Sequence, residues 1–393
     1  MRQRPRPLST AVGSLALAGL LGLAACAGPA GSAADPAGSP ASSASPSGGS
    51  PTDAPATDAS PTEAPDAGYS FTADNCGVEV SRTTPPERIV TVKSAMTELV
   101  SALGAADRIV GVAYQDGELA VEDPLVSGEV ALGAEQDLAG TLTDVPELSD
   151  RMPSNEAVLS VEPDLVLAGW ESVFAADAAG ERSALEALGV TTFVAPAACT
   201  QPPYVPDPLT FDDVFDGITQ VGALLGTSDA AERVVAELRD HLAGATELVA
   251  EVTRAEAATA EAAAGEAPTV LWWSSGTDTP YVGAGTGAPQ MILDAAGLGN
   301  VAGDLAGGWA PFSWEAAAAA DPDYIVLVDS TWNSAEKKKD VLAGNPVTAA
   351  MSAVRDERYL VVPFVATEAG IGNVEAVWLL TEQRARLEGL DVR

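Results

Sequence analysis

The chain predicts an α/β protein of two lobes, each with a central, mostly parallel sheet, joined by one long α-helix. Three observations predict it. Short Val- and Ile-rich runs alternate with segments of helical period; a proline-free helical stretch divides two such series; and a Ser-x-Glu segment followed by Pro-Asp and an apolar run occurs once in each half.

In chain order, the first element is a leader. Arg2, Arg4 and Arg6 precede an apolar run from Ala11 to Ala25, which is too short to span a bilayer of roughly 30 Å. Residues 1–25 therefore read as a signal peptide. Leu23-Ala24-Ala25-Cys26 resembles the bacterial lipobox, whose cysteine is lipidated and becomes the new N-terminus. That resemblance puts the rest of the chain at the extracytoplasmic face of the cell membrane, held by a lipid. Residues 26–68 are nearly all Ala, Pro, Ser, Gly, Thr and Asp up to Gly68, with no aromatic residue to seed a core, and read as a disordered tether.

In the first lobe (69–227) the strands are Ile89-Val90-Thr91-Val92, Ile109-Val110-Gly111-Val112, Leu165-Val166-Leu167-Ala168 and Thr191-Thr192-Phe193-Val194. Residues 228–266 follow as the connector. Val234, Leu238, Leu242, Ala245, Val249 and Val252 step by three or four, with Ser228 as cap and Asp229 and Glu232 in the first turn. At 1.5 Å per residue the helix would reach about 55 Å, enough to cross from lobe to lobe. The second lobe (267–393) repeats the alternation with Val270-Leu271-Trp272-Trp273, Tyr324-Ile325-Val326-Leu327-Val328 and Tyr359-Leu360-Val361-Val362.

The repeat pairs Ser154-Asn155-Glu156-Ala157 before Pro163-Asp164 with Ser313-Trp314-Glu315-Ala316 before Pro322-Asp323. In each copy Ser caps a short helix, Glu lies in its positively polarised first turn, and Pro ends it before a strand. Capping alone would account for both glutamates.

Charge and chemistry narrow the function. The formal charge of −36 becomes −39 once a leader with three arginines and no acid is removed, which argues against nucleic acid as a partner. With Cys26 lipidated, Cys76 and Cys199 remain in an oxidising compartment and are expected to pair, the alternative being two free thiols. Two cysteines and one histidine argue against a metal centre or cofactor. An exported α/β hydrolase would need His241 as its base, but His241 lies in the connector and no Gly-x-Ser-x-Gly elbow is present. The chain reads as a binding protein, not an enzyme.

Leader, lipobox, two α/β lobes, one long connector and paired Ser-x-Glu repeats together resemble the substrate-binding lipoproteins of iron-siderophore and cobalamin ABC importers, across nearly all of residues 76 to 390. The resemblance implies two Rossmann-like lobes in the class III periplasmic-binding-protein fold. It also implies a monomer that hands a small ligand to a permease dimer and its ATPase, with Glu156 and Glu315 as the acids that dock on the permease. Ile89 to Ser94, Ala168 to Ser172, Trp273 to Gly276 and Asn333 to Lys338 look most like an actinobacterial branch proposed to import the precursor of the deazaflavin coenzyme F-420. That branch implies a small anionic aromatic ligand; a ferric siderophore or cobalamin is the alternative.

Ligands of open α/β sheets bind beyond the carboxyl ends of strands, so the residues following each strand are candidates. These are Lys93 and Ser94, Tyr114 and Gln115, Trp170, Ser274 and Ser275, and Trp332 and Asn333. Lys93-Ser94 opens a helix, where free amides and a cation would receive an anion. Trp309 precedes the second repeat, where the family carries an aromatic in contact with ligand. Arg151 and Lys337 join the set because basic residues are scarce, 20 against 56 acids. Trp314 and Trp378 fall on predicted helices and read as packing.

Overall fold

The computed structural model describes residues 68–117, 142–259 and 267–390. The signal peptide, Cys26 and the tether up to residue 67 lie outside the described residues.

The first sheet has five strands, β3 (Ile89–Val92), β4 (Ile109–Ala113), β5 (Glu147–Ser149), β6 (Leu165–Ala168) and β7 (Thr191–Val194), in the order β5-β4-β3-β6-β7. Every pairing is parallel, for example Val90 opposite Val166 and Leu167 opposite Phe193. Parallel strands covered on both faces need unbroken apolar runs, and all four residues of both β3 and β6 are buried.

A hairpin of β1 (Phe71–Asn75) and β2 (Val78–Arg82) precedes this sheet. Its two-residue turn, Cys76-Gly77, has positive φ at both positions, 54° and 81°, the geometry of a type I′ turn. Cys76 is bonded to Cys199 in the loop after β7, with Cα atoms 5.3 Å apart. Asn75 adds a second tie, exchanging hydrogen bonds of 2.8 Å with the backbone of Val194.

The second sheet centres on parallel β8 (Thr269–Ser275), β12 (Tyr324–Asp329) and β13 (Tyr359–Pro363). Beyond β8 lie antiparallel β9 (Tyr281–Gly283) and β11 (Trp309–Pro311), while short β10 (Gly299–Asn300) pairs with the start of β8.

Helices α1 (Ser94–Ala102), α2 (Asn155–Leu159) and α3 (Arg182–Glu186) belong to the first series. Helix α4 (Phe211–Leu225) opens with a Thr210–Asp213 capping box and closes on Gly226 at φ 71°. The connector, α5 (Ser228–Thr259), has 32 residues, or about 48 Å. Ser228 is already inside its first turn; the backbone carbonyl of Thr227 accepts from Ala230 and Ala231, so the expected Ser228 cap is one residue late.

The second half adds α6 (Ala288–Ala295), α7 (Trp314–Ala320), α8 (Ala335–Gly344), α9 (Ser352–Arg355) and α10 (Asn373–Leu387). Near its start α5 packs on α4 so tightly that a Cβ on Gly222 would lie 2.4 Å from that of Ala231. Further along it packs on α10, where His241 stacks on Trp378 at 5.0 Å and Glu256 pairs with Arg384. His241 is thus an element of helix packing, half-buried rather than on the surface.

Candidate functional site

Because β3, β4 and β6 are parallel, their carboxyl ends deliver Lys93, Tyr114 and Trp170 to one edge of the first sheet. Phe364 and Glu368 follow β13 on the corresponding edge of the second sheet. The two edges meet. The Lys93 ammonium lies 3.8 Å from the Trp170 ring centroid, 4.3 Å from that of Tyr114 and 4.6 Å from that of Phe364. It pairs with Asp116 on its own lobe and with Glu368 Oε1 on the other, at 3.4 Å. Trp170 and Tyr114 are edge to face at 5.3 Å, and Trp332 meets Phe364 at 5.9 Å.

Local backbone makes this packing. Lys93 at φ 88° and Tyr114 at φ 53° both hold conformations that cost L-residues on the order of 1–3 kcal/mol. Gly169 is required beside them, since a Cβ there would come within 3.0 Å of the Lys93 side chain. Ser94 Oγ accepts from the N–H groups of Asp116 and Gly117 at 2.9 and 3.3 Å, and Ser94 N–H donates to Asp116 Oδ1 at 3.4 Å.

This corrects the expected role of Lys93-Ser94. An anion does occupy the start of α1, but it is the chain's own Asp116. The Lys93 ammonium is fully buried and matched by two carboxylates, so it is not a free cation awaiting an acidic ligand. Burial pulls this ammonium below the usual lysine range, with Glu368 opposing the shift. Burial likewise pushes the Glu368 carboxyl up, with Lys93 and Trp170 opposing and Glu98 adding to the rise.

Other candidates are spread more widely. Ser274 is buried and its carbonyl accepts from Asn333 Nδ2 at 3.3 Å, which ties two post-strand loops together. The Ser275 carbonyl accepts from Trp273 Nε1 at 2.7 Å. Gln115 bonds back to the Ala113 carbonyl at 2.9 Å. Trp309 lies on β11, stacked on Tyr281 at 6.3 Å, at the sheet's far edge. Arg151 and Lys337 are exposed, and their backbone N–H groups donate to the hydroxyls of Ser149 and Ser334. No contact among the described residues joins either to Lys93. The buried lysine of that run is Lys338, whose ammonium bonds the carbonyls of Val328 and Asn333 and shapes the loop carrying Trp332.

Asp116, Phe364 and Glu368 were not among the sequence candidates. Phe364 obeys the same post-strand rule, two residues after the predicted strand Tyr359–Val362, and Asp116 adjoins two residues already chosen. Two cavities, about 540 Å³ beside Thr210, Gln290 and Asn300 and about 400 Å³ beside Tyr69 and Ser228, share no residue with this cluster.

On the outer surface, Glu156 and Glu315 are both exposed in the first turns of α2 and α7. Ser154 and Ser313 accept from Ala157 and Ala316 N–H at 3.2 and 3.0 Å, so both caps form as the repeat predicts.

Residues 89–366 match the family described as Periplasmic binding protein. The uncharacterized ABC transporter substrate-binding lipoprotein YvrC of Bacillus subtilis is 25% identical over 299 residues, covering 76% of this chain and 79% of that protein. A cobalamin-binding protein of Halobacterium salinarum is 26% identical over 260 residues, 64% of this chain but only 57% of that relative. Among solved structures, an ABC-type Fe3+-hydroxamate transport system from Saccharomonospora viridis aligns with a TM-score of 0.61 at 27% identity, covering 80% of this chain and 98% of that one. A periplasmic binding protein from Veillonella parvula gives 0.65 at 22% identity over 83% and 100%, a likeness of fold.

Proposed function

Because the chain belongs to the periplasmic binding protein family, as an ABC-importer substrate-binding protein of the siderophore and cobalamin class, we propose that its cargo is a ferric hydroxamate siderophore. The observation that carries this reading is the convergence of aromatic side chains from both lobes, Tyr114 and Trp170 from one and Phe364 and Trp332 from the other. A hydroxamate chelate surrounds its iron with its own oxygens and turns an organic shell outward. It needs apolar faces and a few polar anchors rather than protein ligands to the metal. The relative from Saccharomonospora viridis, named for Fe3+-hydroxamate transport, supports the same class.

The deazaflavin precursor requires a site for negative charge, and the central cation here is already neutralised from both sides. That weighs toward the siderophore. Thermal unfolding with each compound separates them: a ferric hydroxamate at 100 times its Kd should add about 2.7 kcal/mol of stability. Stabilisation by the deazaflavin precursor alone would replace this reading.

Delivery uses the paired acids. Exposed Glu156 and Glu315, one on each lobe, would set the register on a two-fold permease through basic partners. Glu156→Ala and Glu315→Ala should abolish uptake while ligand affinity in solution stays the same; a large loss of affinity in either would reject the docking role. Cys26 holds the protein at the membrane, and Cys26→Ser should release it into the medium.

A further inference from the structure

We propose that the ligand carries a cationic group, an ammonium or guanidinium, which takes the place of the Lys93 ammonium against Glu368 and Phe364 when the lobes part. The inference rests on the siderophore reading above and specifies which member of that class the site accepts.

The cage is divided unevenly between the lobes. Lys93, Asp116, Tyr114 and Trp170 all come from the first; Glu368 and Phe364 come from the second. A ligand entering between the carboxyl edges must separate these two groups. After separation Lys93 keeps Asp116 and two aromatic rings, so the first lobe remains a matched pair. The second lobe is left with a carboxylate and an aromatic ring that have lost their cation.

That loss is costly where it occurs. With the lobes in contact the Glu368 side chain is only 12% exposed, and a ligand that fills the cleft would keep it from water, where a carboxylate stripped of its partner is strongly destabilised. Glu98 acts on it as a further acid from α1. The other buried lysine on the second lobe, Lys338, has its ammonium on the carbonyls of Val328 and Asn333. Among the described residues Lys93 is the one base paired with Glu368, so a cationic group on the ligand is what would restore the charge.

The ligand's cation would reproduce the geometry of the Lys93 ammonium, about 3.4 Å from Glu368 Oε1 with the Phe364 ring 4.6 Å away. A carboxylate with an aromatic face beside it is the chemistry that selects organic cations. An anionic ligand would instead meet Glu368 and Asp116, two carboxylates that already share Lys93.

The test uses two ferric trihydroxamates that differ only at one end, ferrioxamine B with its free terminal ammonium and the same complex N-acetylated. Calorimetric titration into the full-length protein should show at least tenfold tighter binding of the ammonium form. Glu368→Gln should bring the two affinities within about twofold, chiefly by weakening the ammonium form, with an unchanged far-ultraviolet circular dichroism spectrum certifying the variant's fold. Equal affinity of both complexes for the unmodified protein would overturn the inference and leave the siderophore reading standing. A preference that survives in Glu368→Gln would also overturn it, by placing the cation elsewhere. Binding of neither complex would overturn both.

Discussion

At Lys93 a strained backbone, a buried charge and an interlobe contact coincide in one residue. Its φ of 88° aims the side chain across the edge of the sheet, and Gly169 leaves it room. The partner Glu368 makes this contact sensitive to pH. Burial raises its carboxyl from the ordinary 4.5 to about 7, so over that interval the folded protein binds the proton that the unfolded chain has released. The stabilising contribution is complete below the lower value and is lost as pH rises through the upper one. The difference in unfolding free energy between the native protein and Glu368→Gln should therefore shrink with rising pH, by on the order of 1–3 kcal/mol. Lys93 titrates in a separate window, from about 8 to the ordinary 10.5, where the unfolded chain binds more protons and its contribution changes with the opposite sign. Urea titrations across the acidic interval check the prediction, and a difference that grows with pH would contradict it. Why Glu368 escaped sequence reading follows from the same geometry. It lies five positions past Pro363, and its partner is in the other half of the chain, a relation no local period or spacing encodes.

Among the elements, those that obey a local rule are the ones the sequence makes legible. The seven apolar runs become strands because parallel strands buried on both faces must be apolar throughout. Both Ser-x-Glu segments become capped helices because cap and first-turn chemistry are confined to four residues. Strands β1, β2, β5, β9, β10 and β11 were not foreseen. Strands β5, β9, β10 and β11 are only two or three residues long, and β1 and β2 form a separate hairpin, so their pairing depends on which neighbour happens to be present. The hairpin's local signal is confined to Cys76-Gly77, where both positions take positive φ. Close helix approach is equally hidden, because Gly222 looks like a weak point in α4 until α5 is laid against it. Gly222→Ala should improve helix propensity by about 1 kcal/mol yet destabilise overall, because its Cβ would lie 2.4 Å from that of Ala231. Overpacking of this kind costs typically 1–3 kcal/mol. Chemical denaturation showing a net gain would mean that the two helices separate without cost.

For the whole molecule the question is how the first lobe is held together. The bond from Cys76 to Cys199 closes a loop with a sequence separation of 123 residues, which contains β3, β4, β5, β6 and β7 in full. A crosslink of that span restricts the unfolded chain far more than the folded one, and removing a native bridge of this kind typically costs about 2–5 kcal/mol. The folded hairpin has independent anchors: Asn75 bonded to Val194, Arg182 to the Asn75 carbonyl at 2.7 Å, and Tyr204 to Asp74 at 2.9 Å. These predict that a Cys76→Ser, Cys199→Ser double variant keeps its structure and ligand affinity while its unfolding midpoint falls by an amount in that range. The connecting helix, braced on α4 at one end and on α10 further along, depends on neither cysteine. Circular dichroism during denaturation, with titration of the folded variant, separates the two effects. A loss of affinity equal to the loss of stability would mean that the hairpin shapes the carboxyl edge itself, and that Cys199, close after β7, belongs to the binding surface.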